Sequence, residues 1–282
     1  MQIRQVQKIV TGTVQYDGAG VKLVRVISHP DTEDFDPFLM LDAFDSKNPA
    51  DYEKGFPWHP HRGIETVTYL ISGMIEHEDS LGNKGAITDG CCQWMTAGRG
   101  IMHQEMPRAS EHMLGVQLWL NLPARFKMTD PEYRDIRSEN VPVIKEEGVS
   151  VRILTGSLNG RDGAARGEYV PMTFLDADME PGSYWECDAA PDLTVFAYIL
   201  TGEGWFSKEE DERIYSRRAV LFGAGNRIYA HASDKGMRLL VLMGPPQREP
   251  IAWGGPSVMN TRAELDQAFR ELKDGTFIKE RI

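Results

Sequence analysis

The sequence predicts an all-β protein built from two related β domains and ending in a short helix. Three observations carry that reading: short runs rich in β-branched and aromatic residues recur along the chain, a motif repeats between its halves, and a polar, proline-punctuated stretch separates them. The N-terminal half offers VQYDGAGVKLVRVIS, PFLMLDAF, GIETVTYLISGMIEHED, CCQWMTAG and HMLGVQLWLNL, divided by Gly, Asp, Asn or Pro. Residues 122–148 are the polar stretch, and the domain boundary is expected inside it. Strands resume with VSVRILTG and continue through PMTFLDADM, DLTVFAYILTGEGWF, RRAVLFGAG and KGMRLLVLMG.

The repeat is specific. Thr68-Tyr-Leu-Ile-Ser-Gly73 matches Ala197-Tyr-Ile-Leu-Thr-Gly202, and Trp94-Met-Thr-Ala-Gly98 matches Leu221-Phe-Gly-Ala-Gly225. The matched glycines lie 25 residues apart in the first half and 23 in the second. Small antiparallel domains of this kind are expected to close as a sandwich or barrel, which hides sheet edges. The competing arrangement is one large sandwich with two similar hairpins. After residue 245 a loop leads to TRAELDQAFRELKDG, where Thr261 and Glu264 have capping-box spacing. Leu265, Phe269 and Leu272 give this helix an apolar face, and Gly275 stops it.

Composition narrows the function classes. At 282 residues with 31 basic and 42 acidic side chains, the chain has a formal net charge of −11. Such a chain repels a polyanion on average, and it carries no zinc-finger spacing, helix-turn-helix pattern or polybasic run, so direct nucleic-acid binding is not expected. No stretch reaches the length of an apolar membrane span and the N-terminus lacks a signal-peptide run, so a soluble, cytoplasmic protein is expected. Cys91 and Cys92 are adjacent and Cys187 is alone, which implies no disulfide framework and fits a reducing compartment. Neither of the paired cysteines has a visible base partner.

Chemistry concentrates in two pairs. In a strand, residues i and i+2 share a face, so His59 and His61 around Pro60 can project into one cavity, and His103 with Glu105 has the same spacing. Three imidazoles and a carboxylate suit a divalent first-row metal better than calcium. Glu65, four residues after His61, is a competing carboxylate whose blander role is to orient a histidine or Arg62. The second half supplies a control: Asp188 and Ala190 align with the first pair, and Ala230 and Ala232 with the second. One metal per chain is therefore expected, in the N-terminal domain. His231 is one residue out of register there, and His29, His77 and His112 read as turn, hairpin and strand-edge residues. The Gly98/Gly100 pair reads as a tight turn near the site rather than a phosphate loop. Trp58, Phe56, Met40, Met95 and Met102 are candidates for an apolar cavity wall, which would suit a planar aromatic substrate able to chelate.

The runs DPFLMLDAF, HPHRGIETVTYLISG, QWMTAGRGIMHQE and GPSVMNTRAELDQAF resemble the pirin family of the cupin superfamily, and the similarity spans residues 5–275. The resemblance implies an all-β bicupin of two antiparallel, jelly-roll-like β-barrel domains with a C-terminal helical tail packed back on them. The corresponding boundaries are 1–135 for the N-terminal domain with the metal, 136–245 for the C-terminal domain without one, and 246–282 for the tail. It implies one Fe(II) on His59, His61, His103 and Glu105, with Ni, Mn, Cu or Zn as substitutes, and it places Glu65 outside the ligand set. Ser257 stands where an aromatic residue is common, a departure that bears on tail packing and not on the metal.

Two functions attach to the family. Bacterial members resemble quercetin 2,3-dioxygenases, which open the central ring of a flavonol with O2 and release carbon monoxide; here Glu105 would act as the base. Nuclear members act as iron-dependent, non-enzymatic regulators that bind protein partners. An acidic chain with an intact ligand set favours the enzyme, with a flavonol and O2 as its partners and neither nucleic acid nor membrane.

Overall fold

The computed structural model describes residues 2–279, and the chain divides into two compact units. One contains the chain up to Thr13, Asp31–Pro37 and Glu139–Pro246; the other contains Val14–Pro30, Phe38–Ser138 and the chain from Gln247 onward. The N-terminal strand Val6–Thr11 pairs antiparallel with Arg218–Phe222 and so belongs with the second half of the sequence.

The first unit is a nine-stranded antiparallel sheet. Two long strands, Thr194–Trp205 and Arg227–Gly244, form its spine. Their ladder shifts register at Ile199/Thr201 and again at Gly202/Gly204, which lets each strand turn and serve two stretches of sheet. Alternate side chains bury Trp185, Phe206, Phe222, Ile228, Ala230, Ala232 and Met237 in one core. Ala230 and Ala232, the counterparts of His103 and Glu105, sit in that core with no exposed surface. The space a metal would need is filled with apolar side chains.

The second unit has two principal sheets. The larger, of seven strands, runs in the order Glu132–Ile136, Cys92–Thr96, Ile64–Ser72, Met113–Asn121, Phe38–Ser46, Val21–Ile27 and Thr13–Asp17. The smaller, of four, runs Phe56–His61, Ile101–Arg108, Met74–Asp79 and Lys84–Ile87. The inner face of the Ile64–Ser72 strand explains where the site lies. Leu70 joins an apolar cluster with Phe44, Ile75, Ile87 and Met113, while Ile64 joins another with Met40, Met95, Ile101 and Trp119. Thr66 and Thr68 lie between them on the same face. Each large side chain in these clusters contributes about 1.5–3 kcal/mol by leaving water, so the polar site sits between two firm apolar blocks.

The all-β character and the C-terminal helix hold, but the expected barrels do not. In each sheet the strand order is an open path: Val6–Thr11 and Val143–Glu146 end the nine-stranded sheet, and Glu132–Ile136 and Thr13–Asp17 end the seven-stranded one. Closure needs a ladder between the end strands, and among the described residues none forms. The ends are short or solvated instead, with Thr13–Asp17 exposed at every residue and the four-residue Lys84–Ile87 starting on a lysine.

The tail adds a two-stranded hairpin, Ala252–Gly254 with Ser257–Met259, and the helix Arg262–Lys273. Its capping box is complete: Thr261 Oγ1 accepts from the Glu264 amide at 3.2 Å, and Glu264 accepts from the Thr261 amide at 2.8 Å. The buried face is Leu265 and Ala268, and Phe269 is partly exposed beside Gly254.

Candidate metal centre

The four-stranded sheet brings both pairs to one face. The Phe56–His61 and Ile101–Arg108 strands are antiparallel, with His59 opposite His103 and His61 opposite Ile101. Residues directly opposite in such a ladder point to the same side, as do i and i+2. His59, His61, His103 and Glu105 therefore share a face, although the register shifts between His103 and Glu105. The histidine ring centroids are 4.8 Å (59 to 61), 4.3 Å (59 to 103) and 5.0 Å (61 to 103) apart. Ligating nitrogens of all three lie within 4.8 Å of one another, a His-rich cluster suited to one metal ion.

The protonation of the rings agrees. His59 Nδ1 donates to the Pro57 carbonyl at 2.9 Å and His61 Nδ1 to the Pro256 carbonyl at 3.3 Å, because a carbonyl can only accept. In a neutral ring this tautomer leaves Nε2 as the ligating atom. Burial, followed by the neighbouring His59, holds His61 down at about 3, and burial drives His103 well below the usual imidazole range. Neutral imidazole is the ligating form. The buried Nε2 of His103 has no hydrogen-bond partner, the mark of a nitrogen kept for a ligand.

Glu105 is held from the facing sheet. Gln117 Nε2 donates to Oε1 at 2.8 Å and to Oε2 at 3.0 Å, and also reaches Thr68 Oγ1 at 3.1 Å. The Glu105 carboxylate lies 4.0 Å from His103 Nε2. Burial pushes its pKa up, opposed by His59, Gln117 and Thr68.

Glu65 goes elsewhere. Gly63, at φ +76°, breaks the chain direction after the histidine strand, and a Cβ there would stand 2.0 Å from the Val258 carbonyl. The new strand sets Glu65 opposite Thr96, in the alternation that excludes Thr66 and Thr68, so it faces away from the histidines. Its Oε1 accepts from Thr96 Oγ1 at 2.6 Å.

A cavity of about 700 Å³ opens beside His59 and His61. Met40, Phe56, Trp119 and Trp253 give it apolar walls, and Gln117, Asp42, Arg25 and Asp17 a polar side. Arg25 spans both acids, with Nε and Nη2 on Asp42 at 2.9 and 2.7 Å and Nη2 on Asp17 at 2.8 Å. Of the residues expected to line it, Phe56 and Met40 do so; Trp58 is 46% exposed and Met95 lies in the apolar core.

The other candidates separate. His29 stacks on Trp253 at the cavity wall, 4.7 Å between centroids, whereas His112 pairs with Asp45 at 2.8 Å near the surface. His231 lies in the other unit, stacked on Tyr184 and Trp205. Cys92 and Cys187 are buried and burial pushes both thiols up, so neither is a thiolate. Gly98, at φ +49° with a Cβ position 2.2 Å from the Thr129 carbonyl, makes the tight turn ahead of the His103 strand.

Gln117 and Trp119 carry no signal in local spacing. A lone glutamine inside the otherwise apolar MLGVQLWL run was the available hint. His77 was read as a hairpin residue, yet it is buried, opposite Glu105 in the ladder, and bonded through Nε2 to the Tyr133 hydroxyl, which Gln93 also reaches.

Comparison with known proteins shows the family. The pirin family model matches residues 20–120, and the model of the pirin C-terminal cupin domain matches residues 174–278. A pirin-like protein of Caulobacter vibrioides is 40% identical over 98% of this chain and 100% of its own length. The crystal structure of a quercetin 2,3-dioxygenase from Acinetobacter baumannii superposes with a TM-score of 0.89 at 30% identity, covering 98% of each chain. A bacterial pirin of Escherichia coli, solved in complex with nickel(II), shares the fold with a TM-score of 0.67 at 20% identity, over 85% of this chain and 99% of its own.

Proposed function

The chain belongs to the pirin family of the cupin superfamily, and from that premise we propose that it is a metal-dependent dioxygenase that opens the central ring of flavonols such as quercetin. The observation that carries the reading is the placement of three clustered histidines beside an aromatic-walled cavity, with Glu105 held at their side by Gln117. The likeness to the Acinetobacter dioxygenase supports the substrate class.

His59, His61 and His103 would hold the metal through Nε2, with Glu105 as the fourth ligand; we assign Fe(II), and nickel(II) remains a chemical substitute for the same donors. When bound, the metal would supply a Lewis acid that lowers the pKa of a flavonol 3-hydroxyl and a centre for reaction with O2. The protein's own contributions are positional and acid–base. Trp119, Trp253 and Phe56 would hold the planar rings and keep water from them. Glu105, whose affinity for a proton is raised by burial, would accept the hydroxyl proton while Gln117 keeps its carboxyl group oriented. One O2 is consumed and one carbon monoxide leaves with the ring-opened ester.

The test is O2 uptake and carbon monoxide release with quercetin after anaerobic metal loading, with metal measured in the same samples. Glu105→Gln is expected to lower turnover far more than metal content, and undiminished turnover in that variant would remove its role as base. No turnover at full occupancy across Fe, Ni, Mn, Cu and Zn would discard the enzyme in favour of a non-enzymatic, iron-binding interaction module. Among the described residues no helix is long and apolar enough to cross a membrane.

A further inference from the structure

The residue next to a proposed metal ligand makes some of the most buried polar contacts in the unit. Arg62 is 2% exposed, yet its guanidinium reaches neither the cavity nor solvent. Nη1 donates to Glu271 Oε2 at 2.7 Å, Nη2 donates to the Phe277 carbonyl at 2.9 Å, and the group lies 4.2 Å over the Phe277 ring. All three contacts fall on the C-terminal segment. The backbone does the same: the Arg62 amide donates to the Pro256 carbonyl at 3.3 Å, and the Val258 amide to the Arg62 carbonyl at 3.0 Å.

Lys127 is the second pin. It too is 2% exposed, and Nζ donates to the Gly63 carbonyl at 2.7 Å, to Asn121 Oδ1 at 2.5 Å and to the Val258 carbonyl at 2.8 Å. One ammonium thereby ties together the turn after His61, the end of the Met113–Asn121 strand and the C-terminal hairpin. The close approach of Val258 to Gly63 is possible because Gly63 has no Cβ. Ser257, the position that put tail packing in question, is buried and bridged to Arg62.

What the segment delivers to the site is a carbonyl. Pro256 O accepts the Nδ1 hydrogen of His61, which leaves Nε2 unprotonated and sets the plane of the ring. Trp253, the ladder partner of Val258 in the C-terminal hairpin, forms part of the cavity wall.

We propose that the C-terminal segment 247–279 is a strap that completes the metal centre, with Arg62 and Lys127 as the positioning residues that hold the Pro256 carbonyl against His61. Metal occupancy and strap docking are then coupled. A docked strap orients the ligand, and a bound metal, by fixing the ring, tightens the strap by the same factor. The proposal takes from the proposed function only that His61 ligates a metal; it requires no particular substrate or turnover.

The experiment uses the full chain and Ni(II) as probe. Hydrogen exchange is followed at the Arg62 and Val258 amides with and without Ni(II), and Ni(II) affinity is measured against a competing chelator. In the unmodified protein Ni(II) is expected to slow exchange at both amides, and Glu271→Gln, which weakens the outer anchor of Arg62, to lower affinity. Lys127→Met is expected to lower it further, by roughly 10–100-fold, the usual effect of losing support behind a metal ligand. Arg62→Lys keeps the charge but not the fork and is expected to fall between the unmodified protein and Arg62→Met. Exchange at Val258 that ignores Ni(II), or variants with a loosened strap and unchanged affinity, would overturn the coupling. The first of these needs no variant, so it decides the matter even if Lys127→Met does not fold. No Ni(II) binding by the unmodified protein would instead remove the metal reading itself.

Discussion

Glu65→Gln should make the protein more stable in alkali while leaving its metal site intact. Glu65 is 1% exposed, Oε1 accepts from Thr96, and Oε2 is buried without a hydrogen-bond partner. Burial lifts its pKa from 4.5 to about 7, against the opposing bonds from Thr96 and Trp94. In the unfolded chain the same carboxyl ionises near its ordinary value, so between about 4.5 and 7 the folded chain binds more protons than the unfolded one. Stability linked to this group is present below that window and is lost as pH rises through it. At about 1.4 kcal/mol per pH unit, the loss reaches about 3 kcal/mol. Glutamine has no proton to lose and keeps a donor and an acceptor in the same place. Urea denaturation of metal-free protein should therefore show the two chains nearly equal near pH 5, and the variant more stable by about 3 kcal/mol near pH 8.5. Parallel stability profiles would refute the argument. A variant that loses metal would return Glu65 to the ligand set.

Three further outcomes follow from the same geometry. Gln117→Leu removes the donor to both Glu105 oxygens, so metal affinity in a chelator competition should fall by about 10–100-fold. Saturation with metal at about 100 times its dissociation constant should add about 2.7 kcal/mol to stability, read as a rise in Tm that EDTA reverses. Thr261→Ala removes one arm of the capping box and should cost about 1 kcal/mol, seen as faster hydrogen exchange in the Arg262–Lys273 helix.

The two candidate pairs were legible because a strand's period of two is written in the sequence: His59 with His61, and His103 with Glu105, which the ladder brings to one face. Choosing between Glu65 and Glu105 was not possible by counting, since Gly63 at positive φ resets the alternation and turns Glu65 to the other face. The helix end was legible for the opposite reason, its capping box being wholly local. Closure of the sheets was misjudged because alternation reports which face is buried and says nothing about whether an edge finds a partner. Pairing of Val6–Thr11 with Arg218–Phe222 and the reach of Gln117 to Glu105 depend on contacts between distant strands, and no local pattern encodes them. His77 was hidden by its neighbours: the charged EHEDSLG run suggests solvent, but its alternate residues His77 and Asp79 are buried.

The Pro256 contact also has a consequence in time. A chain emerging from the ribosome presents His59, His61 and His103 early, but the carbonyl that orients His61 follows roughly 150 residues after His103. At about 5–20 residues per second, that is a delay of roughly eight to thirty seconds. During it the three imidazoles are synthesised and the site is unfinished, so a nascent or C-terminally clipped chain should be a poor scavenger of metal. Loading would then be reserved for molecules whose translation has passed Pro256.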